Sequence, residues 1–70
     1  MDDPVQELDL IVRAGDDGRW VICQRRGSSD AMIRGPFQNR EQAVAHSRVL
    51  KRTIGADAFV ETEPGVFQRL

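Results

Sequence analysis

Hydrophobic and polar residues alternate through VQELDLIVR, residues 5–13, which sets Leu8, Leu10 and Val12 on one side and Asp9, Ile11 and Arg13 on the other. That period of two predicts a half-buried strand. AGDDG, residues 14–18, follows as a turn, because its glycines tolerate positive φ and its aspartates bond nearby backbone. RWVICQR, residues 19–25, alternates again, with Trp20 and Ile22 on one face and Val21 and Cys23 on the other. The two strands are expected to form a hairpin. Arg25 to Asp30 reads as a polar, mobile connection. Ala31 to Arg34 reads as a short third strand that Gly35-Pro36 ends, since proline has no N–H for a ladder and restricts the residue before it.

The period then changes. Ala43, Ser47, Leu50 and Ile54 recur at helical spacing, which predicts a helix from Arg40 to Thr53 or Ile54. Asn39 is suited to cap it, with Gln42 three residues on, and Gly55 is suited to end it. Phe37 is expected to tuck onto the core at the strand-to-helix corner. His46 falls at the boundary of the buried stripe. DAFVETE, residues 57–63, alternates once more. Glu63-Pro64-Gly65-Val66 fits a type II turn, and Val66 to Leu70 return as a last strand. The predicted fold is α+β, in the order β-β-(β)-α-β-β: a small, mostly antiparallel sheet with one helix packed on one face. Residues 1–70 form one domain, and residues 1–4 are expected to fray.

Charge changes this picture more than composition does. The chain carries a net charge of -1, but residues 1–17 carry -5, residues 18–52 carry +6 and residues 53–70 carry -2. Arg40, Arg48, Lys51 and Arg52 share one broad side of the predicted helix, and Arg25, Arg26 and Arg34 come from the adjoining strands. Grouped cations suit phosphates or carboxylates, so these seven residues form a candidate patch for an anionic ligand. Nucleic acid is a possible partner but not the favoured one. The balance is slightly acidic, Glu41 interrupts the basic side, and no aromatic ladder for stacking bases is evident.

Apolar residues on both faces of the first hairpin suggest a protein interface, since one helix covers only one face. Ile11, Trp20, Val21, Val49, Phe59 and Phe67 are the candidates for it, with a second copy or another protein as partner.

Candidate chemistry is sparse. The single cysteine, Cys23, forms no internal disulfide or CxxC pair. Asp16 and Asp17 lack the remaining oxygens of a calcium loop, and no ligand spacing points to a metal. The glycines build no phosphate-binding motif, and the serines lack the G-x-S-x-G context of a hydrolase. Glu61 and Glu63 share a strand face, as a solvated edge would. No catalytic residue, cofactor or enzymatic activity is expected. The start, MDDPVQEL, has no basic region followed by an apolar run, and no stretch is long enough to span a bilayer; cytoplasm is the expected location.

Three pieces, DDGRWVICQR (16–25), GPFQNREQAVAHSRVLK (35–51) and DAFVETEPGVFQRL (57–70), resemble a widespread family of small bacterial proteins of uncharacterised function. Its plan is a hairpin with a Gly-Asp-Gly-Trp-like turn, a short strand ending in Phe, a capped helix and a terminal hairpin. The resemblance implies a scaffold and no activity. A partial resemblance, from Ile33 to Val60, is to the latter half of a SPOR domain, and it implies peptidoglycan binding.

Overall fold

The chain is described by a computed structural model covering residues 3–70. Five strands and one helix follow in the order β1 (Leu10–Ala14), β2 (Trp20–Arg26), β3 (Ser29–Phe37), α1 (Arg40–Ile54), β4 (Ala58–Glu63) and β5 (Val66–Arg69). They form a small α+β fold. The sheet order is β3-β2-β1-β4-β5. All pairings are antiparallel except β1 with β4, which run parallel. A parallel pair needs a crossover, and α1 supplies it by passing from the β3 edge over one face to β4.

The core under the helix is built by alternate residues. Leu10, Val12, Ile22, Ala58 and Val60 meet Ala43 there and are fully buried, with Trp20, Ile33, Phe37, Val44 and Leu50 packed around them. Ser47 is also fully buried, and its hydroxyl donates to the Val44 carbonyl at 2.8 Å, which satisfies a polar group in an apolar place. The Asn39 side chain accepts from the Gln42 N–H at 2.9 Å. Gly55, at φ 70°, and Ala56 both donate to the Lys51 carbonyl and close the helix. Ile54 departs from the expected stripe and stays 44% exposed at the last turn. His46 packs against Phe37 at the β3 side of the helix, with ring centroids 5.3 Å apart and planes tilted by 46°.

Three expectations are corrected. The first strand begins at Leu10, not Val5. Asp9 is the reason: its carboxylate accepts from the Gln6 N–H at 3.0 Å and the Asp57 N–H at 3.2 Å. The backbone turns there, with Leu8 at φ 73°. Residues before the turn cross the sheet face opposite the helix, where Val5 is buried. The polar stretch after Arg25 is not a loop. Arg26 pairs with Ser29 across a two-residue turn in which Gly27 takes φ 62°, the conformation a Gly-first hairpin turn requires. Expected fraying of residues 1–4 falls partly outside the described residues; Asp3, which is described, accepts from the Arg25 guanidinium at 3.0 Å.

The third correction is the length of β3, which runs through Gly35-Pro36 to Phe37. Proline fits because β3 is the sheet edge, and the register shifts opposite Trp20, Ile22 and Cys23 absorb it. Gly35 sits at φ 115°, and a Cβ there would meet the Trp20 carbonyl oxygen and Val21 Cα at 3.2 Å. Backbone atoms cannot swing aside as a side chain would. Gly35→Ala is therefore expected to cost about 1–3 kcal/mol. A urea melt followed by Trp20 fluorescence checks this; an unchanged midpoint would contradict it.

Candidate anion-binding cleft and the charged sheet face

The two faces of the sheet treat charge in opposite ways. On the face away from the helix, Arg13 on β1 holds Glu61 on β4 with two nitrogens, Nε to Oε1 at 2.9 Å and Nη2 to Oε2 at 3.3 Å. Its Nη1 donates to Asp30 on β3 at 3.1 Å. Arg25 on β2 donates Nε to the other Asp30 oxygen at 2.6 Å and Nη2 to Asp3 at 3.0 Å. The result is a continuous chain, Glu61–Arg13–Asp30–Arg25–Asp3, lying across β4, β1, β3 and β2. Burial alone would raise the Asp30 carboxyl, but the bonds from Arg25 and Arg13 outweigh it and hold the group below the ordinary aspartate range. Burial likewise works against the Arg13 charge, and Glu61 outweighs it, so Arg13 is held more firmly protonated than a free arginine.

Beside this chain lies a second apolar cluster of Val5, Ile11, Cys23 and Phe59, with Val21 and Phe67 packed on it. Ile11 is fully buried and Phe59 is 2% exposed, so these two expected interface residues are consumed inside the chain itself. The residue the alternation could not place there is Val5, brought over by the turn at Asp9. Trp20, Val21 and Phe67 are half-buried, and Val49 alone of the six is well exposed, on the outer side of α1. Burial pushes the Cys23 thiol up, the direction of an unreactive side chain.

On the helix side the cations are left free. Arg40, Arg48 and Arg52 make no ion pair among the described residues, and Lys51 donates instead to the Leu70 carbonyl at 3.0 Å. Acids that could have neutralised them are engaged elsewhere: Asp30, Glu61 and Asp3 by the strand arginines, Asp57 by Arg69 at 2.7 Å. Arg40 and Arg48 line a cleft of about 590 Å³ between the helix and the β4–β5 hairpin, with Val44, Val60, Gln68 and Arg69 on its other walls. Glu41 also lines it, as one carboxylate among these cations. Arg69 is already committed, paired to Asp57 and stacked with its guanidinium carbon 5.1 Å from the Phe59 ring centroid.

The seven expected anion-binding residues therefore divide. Arg40 and Arg48 line the cleft and Lys51 reaches the Leu70 carbonyl on the β5 side of the helix, while Arg52 is exposed in its last turn. Arg25 is on the opposite sheet face and paired. Arg26 is bound to the Gln24 side chain at 3.1 Å, and Arg34 donates to the Ile33 carbonyl at 2.8 Å, both at the β2–β3 edge away from the cleft. The Arg13–Glu61 pair is not visible in the sequence, because its members stand 48 residues apart. A signal existed in Arg13 itself, a cation placed among the buried positions of a strand.

No group of three or more metal-ligating side chains is assembled among the described residues, and no helix is long and apolar enough to cross a membrane. No family model, curated protein or solved structure matches the chain. The SPOR-like stretch, Ile33 to Val60, corresponds to the end of β3, α1 and the start of β4.

Proposed function

We propose that the chain is a non-enzymatic interaction module that docks an acidic segment of a partner protein on the basic side of α1. One observation carries the reading: Arg40, Arg48 and Arg52 stand unpaired along one helix side while the strand arginines are matched with carboxylates. Arg40 and Arg48 converge on a cleft that a carboxylate side chain can enter, where a guanidinium binds it bidentately. The same cations suit phosphates, but two features favour a protein. Glu41 lies among them. Trp20 and all three phenylalanines are at least half-buried, which leaves no platform for base stacking.

The test is binding to a poly-glutamate peptide at low salt. Affinity is expected to fall roughly tenfold or more in Arg40→Ala/Arg48→Ala, at about 1 kcal/mol per lost charge-assisted contact, and to fall with salt. No binding by the wild-type chain at about 20 mM salt would remove the reading. Tighter binding of a single-stranded oligonucleotide than of the peptide would transfer the same surface to nucleic acid.

A further inference from the structure

Resting on the acidic-partner reading, we propose that the partner segment binds as an extended strand on the outer edge of β5, and that it sets a carboxylate, an apolar side chain and a second carboxylate in turn along the basic cleft. The edge has backbone groups to spare. β5 closes the sheet beyond β4, and α1 packs on the other four strands, so β5 projects past the helix. Its phase follows from β4. Leu10 donates to the Asp57 carbonyl, so in the parallel ladder Asp57 C=O and Phe59 N–H turn toward β1, and the backbone groups of Ala58 turn toward β5. Leu70 accordingly donates to the Ala58 carbonyl at 2.8 Å. Phe59, Val60 and Glu61 pair with Arg69, Gln68 and Phe67 without a shift. Gln68 therefore bonds inward to Val60, while Phe67 and Arg69 turn their N–H and C=O outward. Free donors and acceptors on alternate residues of an edge are what an added strand pairs with.

The cleft beside this edge supplies the pattern. Arg40, Val44 and Arg48 follow one another in four-residue steps on the cleft flank of α1, and each step along a helix is about 6 Å. Alternate side chains of a strand stand about 6.6–6.8 Å apart. Over two steps the mismatch is about 1–2 Å, which two long guanidinium side chains absorb. A segment of the form acid-x-apolar-x-acid thus offers its carboxylates to Arg40 and Arg48 and its middle side chain to Val44 and Leu70, the apolar part of the cleft wall. The intervening residues face the other side of the sheet, where Phe67 lies. Glu41 also lines the cleft and opposes a continuous run of acids, so two spaced carboxylates suit it better.

Nuclear magnetic resonance titration of the full chain at low salt tests this with two capped peptides, Thr-Glu-Thr-Val-Thr-Glu-Thr and Thr-Glu-Thr-Val-Glu-Thr-Thr. They share composition and charge, but in the second one carboxylate is moved to the other face of the strand. The second is expected to bind at least about fivefold more weakly, and the difference is expected to vanish in Arg40→Ala/Arg48→Ala. Saturation with the first peptide is expected to slow solvent exchange of the Phe67 and Arg69 amides roughly tenfold or more. Equal affinity of the two peptides overturns the proposal, as does saturation that leaves exchange at Phe67 and Arg69 unchanged. Binding of poly-glutamate but of neither heptapeptide overturns it too, and in each of these cases the acidic-partner reading stands. Binding of none of the three removes both.

Discussion

Phe59→Ala is expected to leave the chain largely unfolded near body temperature. Phe59 is the largest fully enclosed side chain, and it sits where three things meet. On β4 it stands beside Ile11 of β1 in the parallel register and opposite Arg69 of β5. It fills the centre of the smaller cluster, so its removal opens a void under Val5 and beside Cys23. Its ring also carries the Arg69 guanidinium. Truncating a buried phenylalanine costs about 3–5 kcal/mol. A domain of this size has a total stability of roughly 3.5–10 kcal/mol, so that loss consumes most of it at the lower end. The melting temperature is expected to fall by at least about 12 °C, at about 4–8 °C per kcal/mol for a chain this short. Phe59→Leu refills most of the volume and is expected to cost less than about 1.5 kcal/mol. Calorimetry on the two variants and the wild type measures the difference. Equal effects would mean that the face away from the helix contributes little to the core.

That result would be specific to the sheet face the sequence describes least well. The helix was legible because its signals are local: the Asn39 cap, the 3.6-residue stripe and the Gly55 stop all lie within one stretch of chain. The Pro64-Gly65 turn was legible for the same reason. From Leu10 on, the alternation of β1 also assigned every side chain to its observed face. What failed depended on distant partners. Asp9 ends the apparent strand by accepting the Asp57 N–H, 48 residues away. Nothing near Asp9 announces that bond. Pro36 reads as a strand end because a proline breaks a central ladder, and only the sheet order shows that β3 is an edge that tolerates it. Gly27-Ser28 was the avoidable miss, because Gly followed by Ser is a two-residue hairpin signal that the surrounding polar residues obscured. The candidate site was legible as a helix side and not as a cleft. The 3.6-residue helical period fixes which cations share a side, but which of them keep their charge unmatched depends on where Arg13, Arg25 and Arg69 find their carboxylates.

Asp30→Asn is expected to cost about 2 kcal/mol at neutral pH and to flatten the acid limb of the stability curve. Asp30 is the one carboxylate shared by both Arg13 and Arg25, and its side chain is only 15% exposed. Asparagine keeps the shape but not the charge, and its amide N–H₂ faces a guanidinium. Arg13 retains Glu61, while Arg25 retains Asp3 and the Val5 carbonyl, so neither cation is wholly abandoned. That places the cost below the 3–5 kcal/mol of breaking a fully buried pair. It remains well above the few tenths expected for Asp17→Asn, whose pairing with Arg19 is 3.9 Å long and exposed on both sides. The pH dependence follows from the direction of the Asp30 shift. Its folded pKa lies below the unfolded value of about 3.9. The stabilisation is therefore complete above that value and is lost as the pH falls through the lower folded pKa. Wild-type stability should decline steeply below about pH 4, with Asp30 supplying part of the slope, and the asparagine variant should start lower and decline less. Urea titrations of both proteins between about pH 7 and pH 2 give the two curves. If they run parallel, Asp30 takes up its proton equally in both states, and the Arg13–Asp30–Arg25 bridge contributes nothing to holding β3 on the sheet.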